Sequence, residues 1–311
     1  MLNCIPAQES YAERPFEGFE INDTSFLYNL TGRQPCPNCG KSRKIFCYTC
    51  FVPIREVDGK LPKVKLPLKI DIIKHKHEID GKSTASHAAL LAHDDVKIYT
   101  YPDIPNYEKE NVVLIFPGQG AVSVNQLVRE TTYENLIKYQ KSHCGNIPKG
   151  HNQTTLLKTI SSHSRNESRS KVAKLSVSKA IFIDSTWHQC KSIYKDERLR
   201  VIPCVVIENR ISQFWRHQKG SPRWYLATIE AIHQFVLEIH LHCWGLNPNY
   251  KGIKNCFTEN DLGHIQSFYT ANPKGYCGQY DNLLYFFKYM YDTIHKYYRH
   301  EDLYSYKRRL T

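Results

Sequence analysis

Ala180-Ile181-Phe182-Ile183 is an uninterrupted apolar run, and it stops on an acid, Asp184. Such a run suits a strand buried on both faces, the signature of a parallel sheet covered by helices. The polar triplet Asp184-Ser185-Thr186 then supplies capping side chains for a helix predicted over residues 187–195. Asp184 therefore falls where a buried strand gives way to a helix. In open α/β sheets that edge is where ligands bind. Local pattern alone favours a plain helix cap at Asp184, so the decision rests on what else the chain brings to that edge.

The same strand-then-helix rhythm recurs. Residues 68–73 read as a strand, and Ser83 or Thr84 caps a helix predicted over 85–92. Residues 96–101 form another strand candidate, ended by Pro102. Val112-Val113-Leu114-Ile115-Phe116 is the cleanest buried-strand pattern, and Pro117-Gly118-Gln119-Gly120-Ala121 follows at once. Two glycines there let backbone N–H groups approach a ligand closely. The loop is neither a Walker loop nor a complete dinucleotide fingerprint, and taken by itself it favours a plain tight turn. One helix is predicted over 123–139, a strand within 200–208, and a long helix over 225–244. In that helix Leu226, Ile229, Ile232, Phe235, Val236, Ile239 and Cys243 mark one apolar face. The alternation implies an α/β fold on a mainly parallel sheet.

Upstream, Cys36-Pro37-Asn38-Cys39 and Cys47-Tyr48-Thr49-Cys50 are separated by seven residues. Two such pairs converge four thiolates on one tetrahedral zinc, and Gly40 fits the turn after the first pair. All four positions are sulfur, which makes the site structural rather than catalytic. The chain has 11 cysteines, an odd number, scattered and with no secretory signal pattern at the N-terminus; that argues against a disulfide framework. His75 and His77 lack a third ligand of clear spacing, so no second metal site is read there.

At 41% hydrophobic residues the chain can build a sizeable core, and its mean hydropathy is -0.51 with no run long enough to span a membrane. Nucleus, or also cytosol, is the expected compartment. The net charge of +12 favours polyanionic partners. Residues 140–179 hold eight Lys or Arg against the single acid Glu167, and read as an exposed basic insertion able to grip RNA. Residues 214–224 interleave Phe214, Trp215 and Trp224 with Arg216, His217, Lys219 and Arg223, a composition suited to stacking bases and holding phosphate. A Tyr-rich tail over 283–310, read as one or two helices, closes on Lys307-Arg308-Arg309.

Asp184-Ser185-Thr186-Trp187 resembles the Asp-x-Thr-Trp signature of the DTW-domain family. The resemblance extends, in the same order along the chain, to Cys36, Cys39, Cys47 and Cys50, to the Pro117–Ala121 loop, and to Thr228-Ile229-Glu230-Ala231 opening the late helix. It covers roughly residues 34–244 and is nearest to the eukaryotic single-DTW-domain branch. Many members close the cysteine cluster with Cys-x-Cys and carry Ser-Thr-x-Glu, where this chain has Cys47-x-x-Cys50 and Ala227-Thr228-Ile229-Glu230.

The resemblance implies a SPOUT-like fold with a knotted S-adenosylmethionine site and an N-terminal Cys4 zinc module. Composition and motifs together divide the chain into a partly disordered N-terminal arm over 1–33, the zinc module and connector over 34–62, the α/β domain over 63–250 with the basic insertion 140–179, and an aromatic, basic helical region over 251–311. The resemblance also implies transfer of the 3-amino-3-carboxypropyl group of S-adenosylmethionine to a tRNA uridine, in the D-loop for this branch, with no obligate protein partner. In that scheme Asp184 is the candidate base, and Thr186 and Trp187 shape the pocket. Pro117, Gly118, Gly120 and Thr228 serve the co-substrate, and Glu230 either binds its amino group or caps the helix. A SPOUT-type RNA methyltransferase and a non-catalytic zinc-containing RNA-binding protein are the alternatives.

Overall fold

The computed structural model describes residues 14–130, 132–143, 175–207, 210–215, 225–257 and 271–298, with two strand fragments at 304–305 and 308–309. Most of the basic insertion, the cations and Trp224 of the 214–224 stretch, and the expected ring of Trp187 lie outside the described residues.

The N-terminal module is two hairpins. β1 (Gln34–Pro35) pairs antiparallel with β2 (Ser42–Arg43), and β3 (Phe46–Cys47) with β4 (Val52–Pro53). Before it, α1 (Ser25–Tyr28) docks through Leu27. The central sheet contains β5 (Lys69–Lys74), β6 (Val96–Thr100), β7 (Val112–Ile115), β8 (Val122–Ser123), β9 (Lys179–Asp184) and β10 (Cys204–Val206). Its order is β6-β5-β9-β7-β10-β8, and every pairing is parallel. The mainly parallel sheet expected from the buried runs is thus parallel throughout.

The order positions the site. From β5 the chain moves outward to β6, then crosses to build β7 and β8. β9 is inserted later, between β5 and β7, so its carboxyl end lies at the topological switch of the sheet. Its register places Asp184 opposite Lys74, Phe182 opposite Ile72 and Ala180 opposite Ile70.

Side chains alternate across the sheet, two residues per repeat. Ile70, Ile72, Val113, Ala180, Phe182 and Val205 face the larger core, whereas Ile73, Val112, Leu114, Ile181 and Cys204 face a smaller one. Asp184 continues the even-numbered set and so points toward the larger core. That layer contains α2 (Ala85–Leu91), α3 (Val124–Arg129), α7 (Thr228–Trp244) and α8 (Tyr285–His295). α5 (Trp187–Tyr194) and α6 (Glu197–Arg200) cover the smaller core through Ile193 and Leu199. The larger core also takes in Leu27 and Ile54 from the N-terminal segment and Phe286 and Phe287 from α8, so module, sheet and C-terminal helix share one interior.

Three expected elements differ. The single helix over 123–139 is two, α3 and α4 (Tyr133–His143), because Glu130 adopts an extended backbone with φ -74° and ψ 114°. Among the described residues of 200–208 only Cys204–Val206 is strand; Arg200 closes α6 and Val201 is 73% exposed. The tail contains one helix, α8, followed by a hairpin between 304–305 and 308–309 rather than further helix among the described residues.

α7 also departs from its expected amphipathic form. Ile229 through Leu241 are buried apart from Ala231, including Glu230, His233, Gln234, Glu238 and His240. Polar groups this deep persist only with partners. Arg210 contacts His233 Nδ1 at 2.9 Å, and His233 Nε2 meets Asp281 Oδ1 at 3.0 Å. Because Arg210 only donates, His233 Nδ1 accepts, and its proton sits on Nε2 toward Asp281. Tyr276 OH at 2.6 Å, Tyr250 OH at 2.8 Å and the Glu20 amide at 2.8 Å also donate to Asp281. One buried acid thereby ties α7 to both ends of the described chain.

Candidate active site

Asp184 is the last residue of β9 and is 5% exposed. Two hydroxyls donate to its carboxylate. Ser83 Oγ reaches Oδ2 at 2.7 Å, and Thr228 Oγ1 reaches Oδ1 at 2.5 Å. They come from the starts of different helices. Ser83 precedes α2 and accepts from the Ala85 amide at 3.1 Å; Thr228 is the first residue of α7. The Asp184 carbonyl accepts from the His75 amide at 3.1 Å.

Burial raises the carboxyl pKa of Asp184 above its ordinary value, against the opposing effects of the Thr228 and Ser83 hydrogen bonds and of Lys74. Lys74 is itself ion-paired with Asp80. The arrangement is a desolvated acid with hydroxyl donors on both oxygens and an ammonium nearby. Such a group can hold a cation or take up a proton.

Asp184 is not the helix cap that its local sequence suggests. Thr186 is the N-cap of α5: its amide and hydroxyl donate to Gln189 Oε1 at 3.1 and 2.9 Å, and its carbonyl accepts from the Cys190 amide at 2.8 Å. The cap falls two residues past the acid, which leaves Asp184 to face α2 and α7.

Glu230 does what one of its two expected readings says: it caps. Its carboxylate is fully buried and accepts from the Ala227 amide at 2.9 Å, the Gln213 amide at 2.8 Å and Ser212 Oγ at 2.7 Å. Burial raises its pKa, opposed first by Arg210 and then by those hydrogen bonds. Glu230 therefore locks residues 212–213 to the start of α7 and holds Thr228 at Asp184.

The glycine loop lies after β7 on the same carboxyl edge. Gly120 has φ +70°, the left-handed conformation that favours glycine. At Gly118 the constraint is packing. An added Cβ would lie 2.6 Å from Cys204 Sγ and 2.7 Å from Tyr194 OH, on a wall where Tyr194 stacks on Phe116 at 4.5 Å. Pro117 is exposed beside it.

The cysteine module brings Cys36, Cys39, Cys47 and Cys50 together, with all four Sγ atoms within 4.8 Å of one another. Cys39 and Cys47 are 3.7 Å apart, close to the ~3.8 Å edge of a tetrahedron with zinc–sulfur bonds of about 2.3 Å. The two knuckles repeat one design. Gly40 (φ +67°) donates its amide to the Cys36 carbonyl at 2.9 Å, and Phe51 (φ +56°) donates to the Cys47 carbonyl at 2.8 Å. Burial opposes ionisation of Cys47, but the Cys50 and Thr49 amides and Arg43 outweigh it and bring the thiol down to about 6. Among the described residues this is the one group of three or more His, Cys, Asp or Glu side chains placed to hold a metal ion.

Ser83, Lys74 and His75 are site residues that the sequence pattern did not pick out. The signal available for Ser83 was its place before a helix that follows a buried strand, two residues ahead of α2 as Ser185 is two residues ahead of α5.

A six-stranded all-parallel sheet flanked by helices, with a buried acid at its switch point, places the protein in the open-sheet α/β class, whose ligands bind at that edge. The chain belongs to the DTW-domain family, whose sequence model matches residues 44–295. It is 40% identical over 276 residues to tRNA-uridine aminocarboxypropyltransferase 1 of Xenopus laevis, covering 85% of this chain and 80% of that one. The Rattus norvegicus protein of the same name is 38% identical over 306 residues, with 94% and 89% covered. The Homo sapiens protein is 40% identical over 273 residues, with 85% and 78% covered. No solved structure matches the chain.

Proposed function

We propose that this protein transfers the 3-amino-3-carboxypropyl group of S-adenosylmethionine to a uridine ring nitrogen of tRNA, in the D-loop, at the Ser83–Asp184–Thr228 edge. The observation that carries the reading is the desolvated Asp184, bridged by two hydroxyls at the switch point, in a chain similar over most of its length to proteins named for this transfer.

The donor set suits the co-substrate. S-adenosylmethionine supplies an electrophilic carbon attached to a cationic sulfur. Asp184 offers a buried negative charge near such a cation. Ser83 and Thr228, with their protons committed to that carboxylate, have lone pairs left for an ammonium or N–H group. The reaction forms a nitrogen–carbon bond and breaks a carbon–sulfur bond whose electron pair stays on sulfur as methylthioadenosine. The imide proton must leave. Burial moves Asp184 in the direction a proton acceptor needs, and its fixed position orients the uracil.

The four cysteines are assigned to a structural zinc: the number of thiols, their spacing and the thiolate character of Cys47 all suit that ion. The sheet order, with β9 inserted late between β5 and β7, is compatible with a SPOUT-like knotted donor site.

The test is incubation of the purified protein with labelled S-adenosylmethionine and unmodified tRNA, followed by nucleoside mass spectrometry. Methylthioadenosine together with aminocarboxypropyl-uridine is the expected pair. S-adenosylhomocysteine with a methylated nucleoside would replace this reading by a methyltransferase.

A further inference from the structure

The segment 75–82, between β5 and α2, is tied to Asp184 at both ends. The His75 amide donates to the Asp184 carbonyl at 3.1 Å, and Ser83 just beyond the segment donates to the carboxylate at 2.7 Å. Its middle is braced by the cysteine module. Thr49, inside the second knuckle, donates to Asp80 Oδ2 at 3.3 Å, and Asp80 pairs with Lys74. Gly81 packs on the Tyr48 ring, where an added Cβ would lie in van der Waals contact 3.4 Å from Cζ. The Arg43 guanidinium sits 4.0 Å from the centroid of that same ring. Two tight turns stiffen the segment further: the Glu78 amide to the His75 carbonyl at 2.9 Å, and the Lys82 amide to the Ile79 carbonyl at 2.8 Å. The His77 amide also donates to His75 Nδ1 at 3.2 Å.

What this pinned segment shows to solvent does not serve the core. Lys76 and His77 are exposed, and Ile79 is 56% exposed. Ile79 supplies an apolar surface on the same fixed segment as the exposed Lys76 and His77. Lys41 and Lys44 are exposed on the neighbouring module, while the charge of Asp80 is taken up by Lys74. Cations for phosphate beside flat or apolar surfaces for bases are the composition that recognises an unpaired RNA strand. Holding such a surface rigid lowers the entropy cost of binding.

We propose that residues 75–82 form a lip that grips the single-stranded RNA flanking the target uridine, with Lys76 on a phosphate and His77 and Ile79 against a base. The proposal rests on the reading that the uridine is modified at the Asp184 edge. The cysteine module then acts in substrate binding through Tyr48 and Thr49, which hold the lip in place.

The experiment uses the full-length, zinc-loaded protein and unmodified tRNA from cells lacking the enzyme, with binding measured between 50 and 200 mM salt. Lys76→Ala is expected to weaken binding and to lower the slope of log affinity against log salt by about 1. Ile79→Ala is expected to weaken binding about fivefold with the slope unchanged. Thr49→Val is expected to keep its zinc while raising amide exchange in 75–82 and weakening tRNA binding, and Thr49→Ser to restore both. S-adenosylmethionine affinity, measured by calorimetry, stays at the wild-type value in Lys76→Ala and Ile79→Ala. A Lys76→Ala/Ile79→Ala protein with wild-type tRNA affinity and salt slope overturns the lip, and makes the face a candidate for a protein partner instead. If that variant still forms product at the wild-type KM, the lip fails and the activity stands. If the wild type binds tRNA through the lip and forms no product, the activity fails and the lip stands.

Discussion

Thr228 Oγ1 lies 2.5 Å from Asp184 Oδ1, a bond between residues 44 positions apart that joins the first residue of a buried helix to the last residue of a central strand. With Ser83 on the other oxygen, the acid is held from two sides in the layer between sheet and helices. Burial makes such a group costly to ionise.

That cost gives the first prediction. A carboxyl whose folded pKa is raised contributes stability that is fully present below its unfolded pKa and lost as pH rises through the folded one. Ionisation of Asp184 therefore works against folding. Asp184→Asn keeps one acceptor, and the Ser83 and Thr228 hydroxyls can turn to suit the amide. Its melting temperature at pH 7 should lie within a few degrees of wild type. Its transfer rate should fall by a factor on the order of 10² to 10⁴. Calorimetry and single-turnover assays on one preparation check the pair, and a variant that keeps its rate removes Asp184 from the chemistry.

Glu230 should behave in the opposite way. Glu230→Ala leaves the Ala227 amide, the Gln213 amide and Ser212 Oγ without their acceptor in a buried site. An unsatisfied buried donor costs about 1–3 kcal/mol, so a loss of about 3 kcal/mol or more is expected by urea titration. Activity should fall along with stability, because Thr228 loses its fixed place. Wild-type stability in Glu230→Ala would show that the carboxylate is not the lock of this helix start.

The glycine loop separates two meanings of one residue. If Gly118 is small so that a co-substrate can approach, Gly118→Ala loses donor affinity and keeps its stability. Contacts of 2.6 Å to Cys204 Sγ and 2.7 Å to Tyr194 OH predict the reverse. Overpacking of that kind costs about 1–3 kcal/mol. A lower denaturation midpoint with unchanged S-adenosylmethionine affinity is the expected result.

The sheet was legible because its strands are buried on both faces, and continuous apolar runs such as 180–183 and 112–116 mean little else. The site was legible in part. Asp184 stood out as an acid ending such a run, but its neighbours come from the starts of α2 and α7, and no local pattern ties Ser83 or Thr228 to it. α7 misled for a physical reason. Glu230, His233, Gln234, Glu238 and His240 look like a wet face at helical spacing, yet Asp281, Arg210, Ser212 and Tyr280 neutralise or bond several of them inside the protein. Partners supplied by distant sequence make a polar face buriable, and periodicity does not record them. Phe51 was equally hidden: nothing in its residue type announces a left-handed knuckle, whereas Gly40 announces the first one.

The cysteine module yields a prediction from that contrast. An added Cβ at Gly40 meets nothing within 4 Å, so Gly40→Ala is opposed only by its left-handed backbone, at about 1–2 kcal/mol. Cys39→Ser removes one of four thiolates. One zinc per chain is expected in the wild type and in Gly40→Ala by elemental analysis. Cys39→Ser is expected to lose most of its zinc and to unfold the 36–53 hairpins, read by proteolysis. Full zinc in Cys39→Ser would exclude the four-thiolate site.

The buried histidines set the response to acid. Burial pushes His87 down to about 3 and His240 down to about 4, and it lowers His233 despite Asp281. A histidine depressed in the folded state stays neutral while its unfolded counterpart takes up a proton below about pH 6.5. Stability is then lost as pH falls from there toward the folded values. His87 and His240 each contribute a slope that approaches about 1.4 kcal/mol per pH unit below pH 6, while Asp184 and Glu230, raised by burial, pull the other way. His87 is the informative one, because its Nδ1 has no partner among the described residues and its ring sits 5.9 Å from Phe46 and 5.6 Å from Phe286. His87→Leu suits that apolar pocket. It should match or exceed wild-type stability at pH 7.5 and gain about a further 2 kcal/mol at pH 5, where the proton uptake of the unfolded histidine is removed. Urea titrations at the two pH values measure the difference, and a gain that does not change with pH would mean that His87 takes up its proton at the same pH in the folded and unfolded protein.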